Sequence, residues 1–290
     1  MPELPEVAAL AEYLGERASG RVIERVDVAE IAALKTYDPP VGALVGRTVV
    51  GAGRRGKFLG LDLSTPGDPL HLVVHLARAG WLRWAETQPT APVRPGRSPI
   101  ALRVRLDDGS GFDLVEYGSK KSLGVWVVRR LEDVPRIAEL GPDPSAPEFG
   151  EAEFAGILSG RRHRIKGVLR DQRVLAGIGN AYSDEILHAA RMSPDAIAGD
   201  LAPEDVARLY AAMRETLESA RREASGKPAA ELKDAKRRGM RVHGRTGEAC
   251  PVCGDEVRRV VFADSEFQYC PTCQTGGTVL ADRLRSRLVK

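Results

Sequence analysis

The sequence predicts an α+β multidomain chain: an N-terminal helix leading into an antiparallel β-sandwich or barrel, then a helical domain, then a zinc ribbon. Three observations carry this. Residues 21 to 132 hold short apolar or alternating runs broken by Gly and Asp-Gly turns. From about 151 to 223 the apolar residues recur at three-to-four spacing. All four cysteines fall late in the chain, as the pairs CPVC and CPTC.

The first element begins at MPELPEV. Pro5 and Glu6 suit the first turn of a helix, where proline lacks only a redundant N–H and a carboxylate meets the positive helix end. Val7, Leu10 and Leu14 follow as an apolar stripe. A helix start accounts for Pro5 and Glu6 but not for Pro2 and Glu3. Removal of Met1 makes Pro2 a free secondary amine beside a carboxylate. An α-amino group has a reference pKa near 8 against about 10.4 for lysine, so roughly a hundredfold more of it is unprotonated at neutral pH. A secondary amine that condenses with a sugar aldehyde carbon gives an iminium, whose fixed charge is an electron sink for elimination.

Strands are expected in RVIERVDV, RTVVGAGRRGKFLGLDL, LHLVVHL, GWLRW, ALRVRLDDGSGFDLVEY and GVWVV. The Pro- and Gly-rich LGPDPSAPEFG marks a linker at 141–150, which divides the chain into 1–140, 151–240 and 241–290. In the second part, Tyr182, Ile186 and Ala189 form one helical stripe, and Val206, Leu209, Met213 and Leu217 another.

Charge is informative by its distribution. The 290 residues carry a formal net charge of only +3. Residues 161–173 nevertheless hold six Lys or Arg against one Asp, and 221–247 hold nine against three. Such runs are usually solvated helix faces. Two of them flanking a helical domain and leading into a zinc ribbon read as a phosphate-binding surface, with DNA favoured over RNA. The absence of a long apolar run and of an N-terminal signal pattern sets the expectation of a soluble cytoplasmic protein. Cys250 and Cys253, then Cys270 and Cys273, have the spacing of two knuckles that close a four-sulfur zinc site. Disulfides or buried thiols are the alternative, disfavoured in a reducing compartment. Four protein ligands leave no open position, so one structural Zn²⁺ is expected.

With these motifs in order, the chain resembles the formamidopyrimidine-DNA glycosylase and endonuclease VIII family. The resemblance rests on MPELPEV at 1–7, RRGKFL at 54–59, LAGIGNAYSDEIL at 175–187, and the cysteine pairs preceded by VHGRTGEACP. It implies an N-terminal β-sandwich with a catalytic helix, a helix-two-turns-helix domain and a zinc finger. It further implies a monomer acting on double-stranded DNA that contains a damaged base or abasic site. By position, Pro2 is the nucleophile at the anomeric carbon, Glu3 the general acid for sugar-ring opening, and Glu6 a support of the site. Lys57 and Asn180 are phosphate contacts, and Lys166 in the first basic run is a further DNA-binding position.

The departures from the family pattern concern DNA filling and grip. A nucleotide flipped out of a duplex leaves a gap to be filled. Where relatives carry methionine, arginine and phenylalanine for this, the chain reads HLARAG, with Arg78, and GSKKSLG, with Lys121 and Leu123. The family's zinc-hairpin arginine is replaced by Ser265, next to Glu266; Arg258 or Arg259 would have to compensate. The segment Ala224 to Gly239 is short and charged, so the loop that caps oxidised purines in some relatives is expected to be missing. Two functions follow: a base-excising glycosylase with AP lyase activity, or a protein that binds damaged or abasic DNA with little turnover.

Overall fold

The computed structural model describes residues 1–64, 68–96, 98–117, 120–262 and 266–281. The substitution at Ser265 therefore lies outside the described residues. The chain divides into two compact units, residues 1–139 with 224–233, and residues 140–223 with 234–290.

Helix α1 (Leu4–Ala18) opens the first unit and buries Leu4, Val7, Leu10 and Leu14. The first sheet takes the order β2 (Thr48–Arg55), β3 (Phe58–Ser64), β4 (Leu70–His75), β8 (Gly124–Val128). The second takes β1 (Ile23–Val28), β6 (Ile100–Leu106), β7 (Gly111–Glu116), β5 (Gly80–Ala85). All pairings are antiparallel. The alternation read in the sequence becomes one apolar layer per sheet. Leu59 pairs with Val74 and Leu61 with Leu72, while Leu102 and Leu82 both oppose Leu114. All seven are at most 1% exposed. Each such side chain contributes about 1.5–3 kcal/mol by leaving water, so the sandwich of the expected fold class is held by its own core. A short helix, α2 (Pro135–Ala138), ends this part of the chain.

The second unit is built on α3 (Glu151–Leu158), α4 (Ile165–Arg170), α5 (Asn180–Ala189), α6 (Pro203–Ala224) and α7 (Leu232–Gly239). The ribbon follows, with the hairpin β9 (Arg258–Val261) and β10 (Glu266–Tyr269) and the short helix α8 (Pro271–Thr275). The stripe on α6 is buried as expected. On α5 it is not: Ala189 is exposed, while every residue from Ala181 to Leu187, and His188 after it, is buried. A helix packed on all sides has no single apolar face, and its polar positions must find partners inside.

Two segments correct the reading from sequence. Residues 141–150 are no loose linker: Tyr210 donates to the Phe149 carbonyl at 2.7 Å, and Arg214 to those of Pro144 and Ala146 at 2.9 and 2.8 Å. Residues 224–233 fold into the first unit, where Ala224, Ala229 and Leu232 join the sandwich core and Trp81 Nε1–H donates to the Ala229 carbonyl at 2.9 Å. No helix among the described residues is long and apolar enough to cross a membrane.

Candidate active site and nucleic-acid interface

At the N-terminus the chain builds its site by local geometry. Glu3 is the N-cap of α1, and its backbone N–H donates to Glu6 Oε2 at 2.8 Å in a capping box. Pro2, Glu3 and Glu6 are all buried, the two carboxylates at 2% exposure each. Glu6 thus holds the backbone that joins Pro2 to the helix, and the Glu3 side chain in turn accepts the Glu6 backbone N–H. Two acids kept in a buried helix start are costly unless hydrogen-bonded, and the helix dipole and the box supply that.

Lys57 follows Gly56 in a two-residue turn between Arg55 and Phe58. Gly56 has φ 54°, so glycine takes the first central position as a II′ turn requires. Lys57 is only 7% exposed. On the facing strand His75 stacks on Phe58 with centroids 4.8 Å apart. Burial first, then the charges of Arg136 and Lys57, lower the His75 pKa to about 4, so the ring is neutral at pH 7. Nothing in the sequence pattern marks out His75, although it opens HLARAG. Its partners come from a hairpin and a helix distant in sequence, which spacing does not reveal.

After His75 the chain makes a tight turn, with Gly80 N–H donating to the Leu76 carbonyl at 2.9 Å. A Cβ on Gly80 would lie 2.2 Å from that oxygen, so only glycine fits. Ala77 sits at φ 51°, a left-handed conformation that costs about 1–2 kcal/mol for an alanine, and Arg78 beyond it is exposed. Lys121 and Leu123 are held differently. The buried Glu116 carboxylate accepts the backbone N–H groups of Ser122 and Leu123 at 2.9–3.2 Å, and Lys121 donates to the Glu116 carbonyl. Leu123 is 2% exposed and belongs to the sandwich core. The expectation of a leucine wedge is corrected: a side chain that fills the core does not also reach into a duplex without opening that core.

In the second unit, α5 organises the polar groups. Asp184 is 1% exposed and accepts from Lys166, from His243 Nδ1 at 2.7 Å and from the Gln268 backbone at 3.3 Å. Lys166, 5% exposed, also donates to Ser183 Oγ at 2.7 Å. Its expected place on a phosphate-facing surface is corrected accordingly, since its ammonium neutralises a carboxylate inside the fold. Glu185 accepts the backbone N–H groups of Arg241, Val242 and His243 at 2.8–3.0 Å. Burial pushes its pKa up against the pull of those three donors. Asn180 begins the helix, and its Nδ2 donates to the Glu266 carbonyl on β10 at 2.8 Å. Arg258 and Arg259 carry local carboxylates, Glu256 at 3.6 Å and Glu266 at 3.3 Å, so both cations are partly neutralised on the hairpin.

The four cysteine sulfurs lie within 4.8 Å of one another, with Cys250 to Cys273 at 3.9 Å and Cys253 to Cys270 at 3.3 Å. A tetrahedral zinc with bonds of about 2.3 Å needs edges of about 3.8 Å. The set fits one ion and, being complete, gives it a structural role.

Three family models match successive stretches of the chain. A model described as the formamidopyrimidine-DNA glycosylase N-terminal domain matches residues 1–120, the H2TH domain of the same enzymes 140–229, and a zinc finger found in FPG and IleRS 247–276. The formamidopyrimidine-DNA glycosylase of Moorella thermoacetica is 36% identical over 267 residues, 90% of this chain and 94% of the relative. The chain belongs to the formamidopyrimidine-DNA glycosylase family. An uncharacterised formamidopyrimidine-DNA glycosylase-like protein of Mycobacterium tuberculosis is 56% identical over 160 residues, which is 55% of this chain and all of that protein. Among solved structures, the Lactococcus lactis Fpg in complex with DNA containing an abasic site superposes with a TM-score of 0.82 at 25% identity, covering 94% of this chain and 99% of the other.

Proposed function

We propose that this protein is a DNA repair glycosylase with AP lyase activity that works through an N-terminal proline. In this reading the Pro2 nitrogen, freed by loss of Met1, attacks the anomeric carbon of a damaged nucleotide. The bond to the base breaks and the base leaves with the proton the amine gives up; Glu3 protonates the ring oxygen as the sugar opens to the iminium, which acidifies C2′–H, and loss of that proton to water gives the enamine whose electrons expel the 3′-phosphate. Hydrolysis returns the amine. Glu6 orients the helix start, while Lys57, Arg78, Asn180 and the exposed part of the basic runs hold phosphates. The zinc site supplies folding energy to the ribbon and no chemistry.

The observation that carries the proposal is the buried capping box. Helix caps are normally made by Ser, Thr, Asp or Asn at the solvent, whereas this one sequesters two glutamates directly after a proline. The test is borohydride trapping on abasic and lesion-containing duplexes, with peptide mapping of the adduct. A reducible cross-link at Pro2, lost when the N-terminus is blocked, is expected. Equal trapping by protein that retains Met1 would overturn the assignment.

The buried Leu123 and the neutralised Arg258 and Arg259 favour a second reading, in which the protein handles a lesion other than the family's common oxidised purines or turns over slowly. The same panel separates the two. Binding to abasic DNA without trapping on any substrate would support the binding-only form.

A further inference from the structure

On helix α5, Asn180, Asp184 and Glu185 bond to main chain or side chains of the ribbon and the 241–243 segment. His188, one turn further on, meets a metal ligand. Its Nε2 lies 3.3 Å from Cys250 Sγ, across 62 residues of sequence, and both residues are 2% exposed. The other ring nitrogen, Nδ1, is buried with no hydrogen-bond partner. That asymmetry assigns the tautomer. A proton on Nδ1 would bury an N–H without an acceptor and leave Nε2 facing the sulfur lone pair to lone pair; a proton on Nε2 leaves only an unfilled acceptor, the milder loss.

We propose that His188 is a positioning residue of the zinc centre, donating Nε2–H to the Cys250 thiolate and so tying helix α5 to the metal. Four thiolates around one Zn²⁺ make a net negative centre, and a donor aimed at one sulfur is a charge-assisted bond that withdraws electron density from it. The bond also fixes the rotation of α5 about its axis relative to the first knuckle. Asn180 stands two turns earlier on the same helix, so the metal and the expected phosphate contact share one rigid element. The inference rests on the zinc site and is independent of the glycosylase reading.

The experiment uses the full chain with zinc replaced by Co²⁺ or ¹¹³Cd²⁺. In the cobalt form, His188→Phe keeps a planar ring and removes the donor; the sulfur-to-cobalt charge-transfer band is expected to move to lower energy while the tetrahedral ligand-field bands persist. Zinc affinity, measured by competition with a chelator, should fall about 10- to 100-fold, the usual effect of losing a partner of a metal ligand. His188→Gln, which restores an N–H at the same reach, should recover the band position and most of the affinity. A purely packing role predicts the reverse, with phenylalanine tolerated and glutamine not, and that result would overturn the proposal. The wild-type chain provides the decision if His188→Phe does not fold. With ¹⁵N-histidine and ¹¹³Cd, the His188 Nε2 proton should show scalar coupling to cadmium through the sulfur. An unprotonated Nε2, or a protonated one without coupling, would equally refute the bond.

Discussion

The two units handle buried charge in opposite ways. In the first, Glu3 and Glu6 are satisfied within one turn of helix, three residues apart, and Glu116 by backbone N–H groups six and seven residues on. In the second, Asp184 draws donors 18, 59 and 84 residues away, and Glu185 donors 56 to 58 residues away. Local pairing survives small movements of the surroundings, because the chain itself holds the partners close. Remote pairing is correct only when the whole unit is correct. In the proposed function the chemistry rests on the first kind of support, and the DNA grip on the second.

Metal removal should separate the two units most sharply. Stripping zinc from the cysteines removes a binding free energy of about 10–16 kcal/mol in modules of this kind. The second unit should lose its cooperative unfolding transition, and affinity for abasic DNA should collapse, while the sandwich keeps its own melt. Calorimetry and fluorescence anisotropy with and without chelator test this; a single transition, unchanged by chelation, would show that the units are not separately supported.

The next effect belongs to the local site. Glu3→Gln should keep DNA binding within a few fold and slow base removal by roughly 10²- to 10⁴-fold, the range for a lost general acid. Single-turnover excision measures it, and an unchanged rate excludes the role.

Asp184→Asn sharpens the contrast in the remote network. It leaves the Lys166 ammonium buried without its counter-charge, a change of about 3–5 kcal/mol, whereas Asp184→Leu combined with Lys166→Met should recover much of the loss. Denaturant unfolding of the three proteins distinguishes an ion pair needed for stability from one dispensable as a pair.

The smallest effect is that of His75. Its folded pKa of about 4 lies below the ordinary 6.5, so the unfolded state binds more protons between those values and stability is lost as pH falls from about 6.5 to about 4. The contribution is at most about 3 kcal/mol. An NMR titration should find this ring still neutral at pH 5, and His75→Phe should flatten that part of the stability profile.

Much of this was legible in the residues. Alternation placed the strands of both sheets because a half-buried strand must alternate, and the cysteine spacing implied a ribbon because two knuckles have few ways to converge. Pro5 and Glu6 were legible as a helix start, but that start also takes in Glu3, which the sequence left outside it and which caps the helix in a box with Glu6. What the sequence left open shares a physical cause, namely that burial depends on what arrives from elsewhere in the chain. Lys166 reads as one cation in a basic run until Asp184 is packed against it. Leu123 reads as a wedge until the sandwich closes over it, residues 141–150 as a linker until α6 binds their carbonyls, and His188 as one more helix residue until Cys250 comes to its ring. Fold class and the order of the chemistry-bearing motifs are written in local periodicity and spacing, and the family in the resemblance of those motifs. Which charges face solvent and which are consumed inside is settled by contacts between residues far apart in sequence, and so emerges only when the chain is folded.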